Sequence, residues 1–105
     1  MTNIKFYFDN EILTGYRIKG HSTSSAYDET GKVVCSAISS AAFMAANTIT
    51  EVIGAKALIN VNDGEMELKV TSNLEECTTV LMGFMLHMQQ LSKQYSGYIK
   101  IDTEV

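Results

Sequence analysis

Two residues of this sequence, His21 and Cys35, have side chains suited to nucleophilic chemistry. His21 follows Gly20, and Cys35 stands after a polar, serine-rich stretch where a run of small helix-forming residues begins. The thiolate is the nucleophilic form of cysteine, and a neighbouring imidazole can take the thiol proton and later give it to a leaving amine. The two residues therefore predict a Cys-His dyad, provided that the fold brings them together.

The spacing of apolar residues places Cys35 at the beginning of the first predicted helix. Apolar residues recur at intervals of three and four from about Val34 to Ile53, and Gly54 provides a stop. Unpaired backbone N–H groups and the positive end of the helix dipole stabilise a thiolate at such a position. The same reasoning predicts that the backbone amides of Cys35 and Ser36 form an oxyanion hole.

The cysteines and histidines of this sequence also have structural interpretations that involve no catalysis. Cysteine is among the most frequently buried residues, so Cys35 could equally be a small core residue. Cys77 lies on an apolar helical stripe and is predicted to be core, while His87, late in the second helix, is predicted to be partly buried or to compensate the helix dipole. A zinc site of His21, Cys35 and His87 lacks paired-ligand spacing, so we expect no metal and no other cofactor.

The predicted elements follow the order ββαββαβ. Two hairpins are indicated by β-branched and aromatic runs joined by Asn, Asp or Gly, with strands at Ile4 to Phe8, Ile12 to Lys19, Ala57 to Val61 and Glu65 to Val70. A second helix runs from an Asn73 N-cap to about Gln94, and the last strand is YIKID. Burying both helices predicts an α+β two-layer sandwich, a mostly antiparallel sheet with two helices on one face, in a single domain over residues 1–105.

A polar segment without periodicity, from Gly20 to Lys32, separates the second strand from the first helix. Loops of about a dozen residues that lack secondary structure are uncommon in small domains and often act as lids. The segment is therefore a candidate lid. The candidate lid or substrate-binding residues in it are Gly20, Ser22, Thr23, Ser24, Ser25 and Asp28.

Charge and cysteine content narrow the function classes. The net charge of -4 disfavours direct binding of nucleic acid, which depends on Lys and Arg, and permits a basic protein partner. Two widely spaced cysteines are too few for a disulfide framework, so both are expected to be thiols in a reducing compartment. The longest apolar stretches are too short, or too interrupted by Ser, Asn and His, to cross a bilayer, which takes roughly 20 residues, and the N-terminus lacks a secretory signal pattern. We expect a cytoplasmic protein without a membrane partner.

The stretches GHS and GKVVCSAISS resemble the signature of the ribosomal-processing cysteine protease family, Prp. In that family a Gly-His-small motif precedes a Val-Cys-small-small-aliphatic-Ser motif at the first helix. The resemblance extends over the whole chain in length and element order. The matching residues are Gly20, His21, Ser22, Gly31, Val34, Cys35, Ser36, Ala37, Ile38 and Ser39.

The resemblance implies a small cytoplasmic, homodimeric endopeptidase. Such an enzyme removes a short N-terminal extension from a large-subunit ribosomal protein, L twenty-seven, during ribosome assembly. The resemblance also implies that Cys35 is the nucleophile, that His21 is the general base and that the loop from Ser22 to Thr30 orders over the bound peptide. Ser39, one turn after Cys35, matches the serine of the motif and is a candidate for substrate binding or for packing.

Lys32 departs from the family pattern, because members commonly carry an acidic residue three positions before the cysteine. Asp28 or Glu29 could orient His21 instead. The alternative function is a non-enzymatic ribosome-associated or assembly-binding module, in which the same α+β surface binds a protein and Cys35 is only a small helix residue.

Overall fold

The computed structural model describes residues 1–21 and 28–105. Its elements are β1 (Thr2–Asp9), β2 (Ile12–Lys19), α1 (Glu29–Asn47) with a π-helical continuation over Thr48–Val52, β3 (Ala57–Asn62), β4 (Glu65–Val70), α2 (Leu74–Gln94) and β5 (Ile99–Glu104). The predicted order ββαββαβ is confirmed. The four strands of the two hairpins lie where the alternation of apolar and polar residues predicts them, with β2 and β4 matching at both ends.

The strands form one sheet in the order β3-β4-β2-β1-β5. Among the described residues, β1 and β5 pair in parallel, whereas β1–β2, β2–β4 and β3–β4 are antiparallel. The mostly antiparallel sheet of the predicted α+β class is confirmed. The second hairpin joins the first through β4, and this pairing brings the β3–β4 turn to the end of β2.

Tyr16 of β2 shows that both helices cover the same face of the sheet. Its hydroxyl donates a hydrogen bond of 2.8 Å to the carbonyl oxygen of Ala42 in α1, and its ring centroid lies 4.6 Å from that of Phe84 in α2. Because the side chain is fully buried, desolvation raises the pKa of Tyr16 above its ordinary value. A buried hydrogen bond of this kind contributes about 1 kcal/mol and joins β2 to α1 beside the site described below.

The opposite face of the sheet is polar and connects the two hairpins. Arg17 of β2 forms an ion pair with Glu65 of β4 at 2.7 Å, and the Tyr7 hydroxyl donates to Glu67 at 2.6 Å. Burial, followed by this hydrogen bond, raises the pKa of Tyr7 to about 12. These contacts hold β4 in register with the first hairpin.

The first helix begins at Glu29 and not near Val34 as predicted. The side chain of Asp28 caps the helix by accepting a 2.9 Å hydrogen bond from the Gly31 N–H. The predicted loop from Gly20 to Lys32 is therefore wrong at its C-terminal end, where residues 29–32 are helical. The predicted lid residues Ser22, Thr23, Ser24 and Ser25 lie outside the described residues.

The helix Glu29–Val52 is longer than expected from the sequence. It has 24 residues and a stretch of mean hydropathy 1.5, so by length and composition it meets the requirement for a membrane span. However, its Val34, Ala42 and Ile49 side chains are fully buried in the core of the fold. The core helix of a globular domain meets the same requirement, and α1 packs as such a helix.

Candidate active site

The backbone at His21 is held from two sides. Gly20 ends β2 with a φ of +95°, and its N–H donates to the carbonyl oxygen of Gly64 at 2.9 Å. The carbonyl oxygen of His21 accepts a 2.9 Å hydrogen bond from the amino group of Met1. A Cβ at Gly20 would lie 2.9 Å from the Met1 carbonyl oxygen. Both the space and the positive φ therefore require glycine before His21.

The imidazole of His21 lies against the turn between β3 and β4. A Cβ built on Gly64 would sit 3.0 Å from Nε2 and 3.7 Å from Cδ2 and Cε1 of His21. Gly64 has a φ of +72°, which suits the tight turn. Sequence reasoning missed this contact, because the Asn-Asp-Gly triplet is an ordinary hairpin signal and carries no information about the distant His21.

Cys35 lies in the second turn of α1 and is partly exposed, in contrast to the buried Cys77. The neighbouring Val34 and Ile38 belong to the buried stripe of the helix. Cys35 is therefore at the border of the core, where solvent or a substrate can reach the thiol. This exposure disfavours the interpretation of Cys35 as a plain core residue.

His21 and Cys35 line one cleft of about 170 Å³. Its other small or polar lining residues are Thr2, Gly20, Ser39, Asn62, Gly64 and Glu65, and its apolar lining residues are Ile18, Ile38, Ala42, Phe43, Val61 and Met66. The cleft thus places a cysteine and a histidine beside an apolar wall. Such a lining suits a peptide whose apolar side chain enters the cleft while its backbone meets the thiol.

The family follows from a match to the sequence model of a known protein family. The sequence model of cysteine protease Prp matches residues 1–100. The chain belongs to the Prp family of cysteine proteases. The resemblance seen in the GHS and GKVVCSAISS stretches is thereby confirmed, and the enzyme class with it. No match is found among curated proteins.

Solved structures share this Prp fold. The essential ribosomal processing protease Prp from S. aureus, in complex with a covalently linked product peptide, has a TM-score of 0.88 at 20% identity over 99% of this chain and 100% of that chain. The same S. aureus protease in complex with a substrate peptide gives 0.87 at 19% identity over the same shares. A Streptococcus mutans protein gives 0.80 at 20% identity, over 99% of this chain and 96% of that chain. At these identities the likeness establishes the shared fold.

The helix start removes the physical basis of the predicted oxyanion hole. The first hydrogen bond of α1 runs from the Lys32 N–H to the Asp28 carbonyl oxygen, at 3.1 Å. The amides of Cys35 and Ser36 come later and lie in the helix interior, where N–H groups donate to carbonyls four residues earlier. The effect of the helix dipole is also confined to the first turn. The predicted contribution of the helix N-terminus at Cys35 is therefore wrong.

The acidic residues near the helix start make contacts of their own. Oδ1 of Asp28 caps α1, and Glu29 pairs with Lys32 at 3.7 Å on the surface. Asp28 and Glu29 are both absent from the described lining of the cleft. Lys32, which stands where the family commonly has a carboxylate, thus engages Glu29 in a weak exposed pair.

The remaining candidates lie away from the cleft. Cys77 is fully buried in the core, as predicted, and burial raises its pKa, with a further contribution from Glu76. His87 is exposed on α2, which excludes the partly buried alternative, and the basic residue in the last turn of the helix is Lys93. Over residues 1–21 and 28–105 there is no cluster of three or more His, Cys, Asp or Glu side chains that could hold a metal ion.

Proposed function

We propose that this protein is a cysteine endopeptidase that removes a short N-terminal extension from a large-subunit ribosomal protein, L twenty-seven, during ribosome assembly. The observation that carries the proposal is the shared cleft of His21 and Cys35 in a chain of the Prp family. Support for the substrate class comes from the S. aureus ribosomal processing protease, which has the same fold and binds peptides. A ribosomal-protein substrate places the activity in the cytoplasm.

The proposed mechanism uses Cys35 as nucleophile and His21 as acid and base. His21 takes the proton of the Cys35 thiol, and Sγ attacks the carbonyl carbon of the scissile peptide bond. The tetrahedral intermediate collapses to a thioester as the imidazolium gives its proton to the leaving amine, which is the new N-terminus of the mature protein. His21 then takes a proton from water, the hydroxide attacks the thioester, and the extension leaves with a free carboxylate as Cys35 regains its proton.

The apolar wall of the cleft supplies the proposed specificity. Ile38, Ala42 and Phe43 of α1 face Val61 and Met66 of the second hairpin across a volume that fits one or two side chains. Burial of a large apolar side chain contributes about 1.5–3 kcal/mol to binding. We therefore expect an apolar residue next to the scissile bond, with the bond itself at Cys35.

The direct test incubates the protein with the unprocessed ribosomal-protein precursor from the same organism. We expect one cut, detected by mass spectrometry as a single new N-terminus, and no cut after treatment of the protein with iodoacetamide. Cleavage that persists after full alkylation of Cys35 would contradict the thiol mechanism. A precursor that binds but stays intact with untreated protein would favour the non-enzymatic assembly module instead.

We also propose that the protein is a homodimer. Several large apolar side chains are exposed in the single chain, with Met44 at 70%, Val52 at 80% and Leu86 at 56%. Exposed apolar surface of this kind is commonly covered by a partner. Sedimentation velocity at micromolar concentration is expected to give the mass of two chains, and a mass of one chain across that range would exclude the dimer.

A further inference from the structure

Strand β3 is an unprotected edge of the sheet. Among the described residues it pairs with β4 on one side only. Its sequence, ALINVN, contains no charge and no proline, whereas β5, IKIDTE, at the other edge carries Lys100, Asp102 and Glu104. Natural proteins normally blunt edge strands with such charges, since an open row of N–H and C=O groups accepts another strand. The edge that lacks this protection is the one beside the cleft.

The hydrogen bonding of the hairpin shows which backbone groups face the open edge. The Thr71 N–H donates to the Lys56 carbonyl oxygen at 2.8 Å, so these two residues form a hydrogen-bonded pair. Hydrogen-bonded and non-hydrogen-bonded pairs alternate along an antiparallel ladder. The even-numbered residues of β3 therefore bond to β4, and the odd-numbered Ile59 and Val61 direct their N–H and C=O groups outward.

The side chains of the same two residues are exposed apolar surface. Ile59 pairs with Leu68 and Val61 with Met66, and both partners are buried on the helix side of the sheet. Ile59 and Val61 lie on that side too, yet they are 44% and 52% exposed because the helices leave the edge strand uncovered. Val61 also lines the cleft of His21 and Cys35. The exposed apolar surface of β3 thus reaches the cleft at Val61.

We propose that β3 is the docking edge for the substrate backbone. The extended peptide adds to the sheet as a strand, pairs with Ile59 and Val61, and continues past Val61 into the cleft at Cys35. Strand addition supplies affinity through main-chain hydrogen bonds and specificity through pockets for alternate side chains. This inference rests on the proposed endopeptidase function, and it assigns the binding of the substrate to a strand that carries no catalytic residue.

The continuity of edge and cleft favours a peptide as the occupant. Residues of β3 are about 3.3 Å apart along the strand, so a peptide paired at Ile59 reaches the Val61 end within two residues. A second copy of the chain is the competing occupant of the same edge. A second copy would cover Ile59 and Val61 even when no peptide is present. The two occupants can therefore be distinguished by the protection of these residues in the absence of peptide.

Amide hydrogen exchange by NMR tests the proposal on the folded Cys35→Ser protein. The probe is a synthetic peptide that spans the junction between the extension and the mature ribosomal protein. Without peptide, the amides of Leu58 and Asn60 are expected to exchange slowly and those of Ile59 and Val61 fast. At saturating peptide, exchange at Ile59 and Val61 is expected to slow by at least about 10-fold, with the edge strand β5 unchanged as a control for general stabilisation.

A second measurement changes only the peptide. N-methylation at successive positions removes one backbone donor at a time, and we expect every second position to weaken binding by about 10-fold while the positions between have little effect. A loss of binding affinity that does not alternate along the peptide overturns strand addition.

The remaining outcomes separate this inference from the proposed function. Fast exchange at Ile59 and Val61 with peptide bound, in a protein whose wild type cleaves the precursor, overturns the docking edge alone. Slow exchange at both amides without peptide, lost on dilution, assigns the edge to a second copy and also overturns it. A wild type that does not cleave the precursor overturns the proposed function, and the inference falls with it.

Discussion

Cys35→Ser is expected to reduce kcat/KM for the precursor by about 10⁴-fold, because a serine hydroxyl is a far weaker nucleophile than the thiolate that His21 can generate. The substitution is close to isosteric, and the partly exposed position tolerates a hydroxyl. The fold should therefore survive. Initial rates of precursor cleavage, together with thermal unfolding of both proteins, check this expectation.

The second cysteine provides the matched control. Cys77→Ala removes a thiol from the core and is expected to cost about 1 kcal/mol of stability. It should leave cleavage of the precursor unchanged, because Cys77 is buried away from the cleft. A Cys35→Ser protein that retains a tenth or more of the wild-type rate would exclude the proposed nucleophile.

The alkylation rate of each cysteine, measured separately, distinguishes a Cys-His dyad from a thiol that is only accessible to solvent. In the wild type, Cys35 should react with iodoacetamide faster than Cys77, and His21→Ala should slow the reaction of Cys35 because the proton acceptor is gone. Equal rates at Cys35 with and without His21 would contradict the general-base role.

Gly64→Ala is expected to lower kcat by roughly 10-fold with a smaller change in KM, since the imidazole must move by a few tenths of an ångström and misplacement by a full 1 Å costs about 10²-fold. The added methyl would lie 3.0 Å from Nε2 of His21 and must push the ring aside. We therefore expect Gly64 to be a positioning residue, because its missing side chain leaves room for the imidazole beside the β3–β4 turn. Steady-state kinetics on the junction peptide give the split between kcat and KM.

Gly54→Ala is the control for backbone strain. Gly54 has a φ of +77°, close to the +72° of Gly64, but a Cβ there would meet nothing within 4 Å. Both variants should lose about 1 kcal/mol of stability from the positive φ. Only Gly64→Ala should lose activity, and equal kinetic losses in the two variants would attribute the effect to stability and not to His21.

The two hairpins are the part of the fold that the local sequence pattern predicts best. The strands Ile12–Lys19 and Glu65–Val70 are both predicted to the residue, because β-branched and apolar alternation ends at clear Gly, Asn or Asp turns. The local sequence does not predict where α1 begins. Several Ser, Thr and Asp residues before Val34 are all acceptable N-caps, and no buried apolar stripe distinguishes them. Only the hydrogen bond from Gly31 to the Asp28 side chain selects the cap.

The order of the strands in the sheet cannot be predicted from the local sequence pattern. Nothing in the sequence pattern of β4 determines that it pairs with β2, or that β5 joins β1 in parallel. These pairings depend on how the complete apolar faces pack against α1 and α2, with Tyr16 contacting both helices. These pairings join residues that are far apart in the sequence. They therefore depend on the closure of long loops and on core packing more than on the β-propensity of each strand.

The reactive residue types, the family signature around His21 and Cys35, and the α+β class can be predicted from the sequence, because each depends on residues that are close together in the chain. The fold is needed to show that His21 and Cys35 share a cleft, that Gly64 lies against the imidazole and that an uncharged edge strand borders this cleft. Each of these features joins elements that are distant in the chain, and they meet only because the second hairpin inserts beside β2 when both helices bury their apolar faces on one side of the sheet.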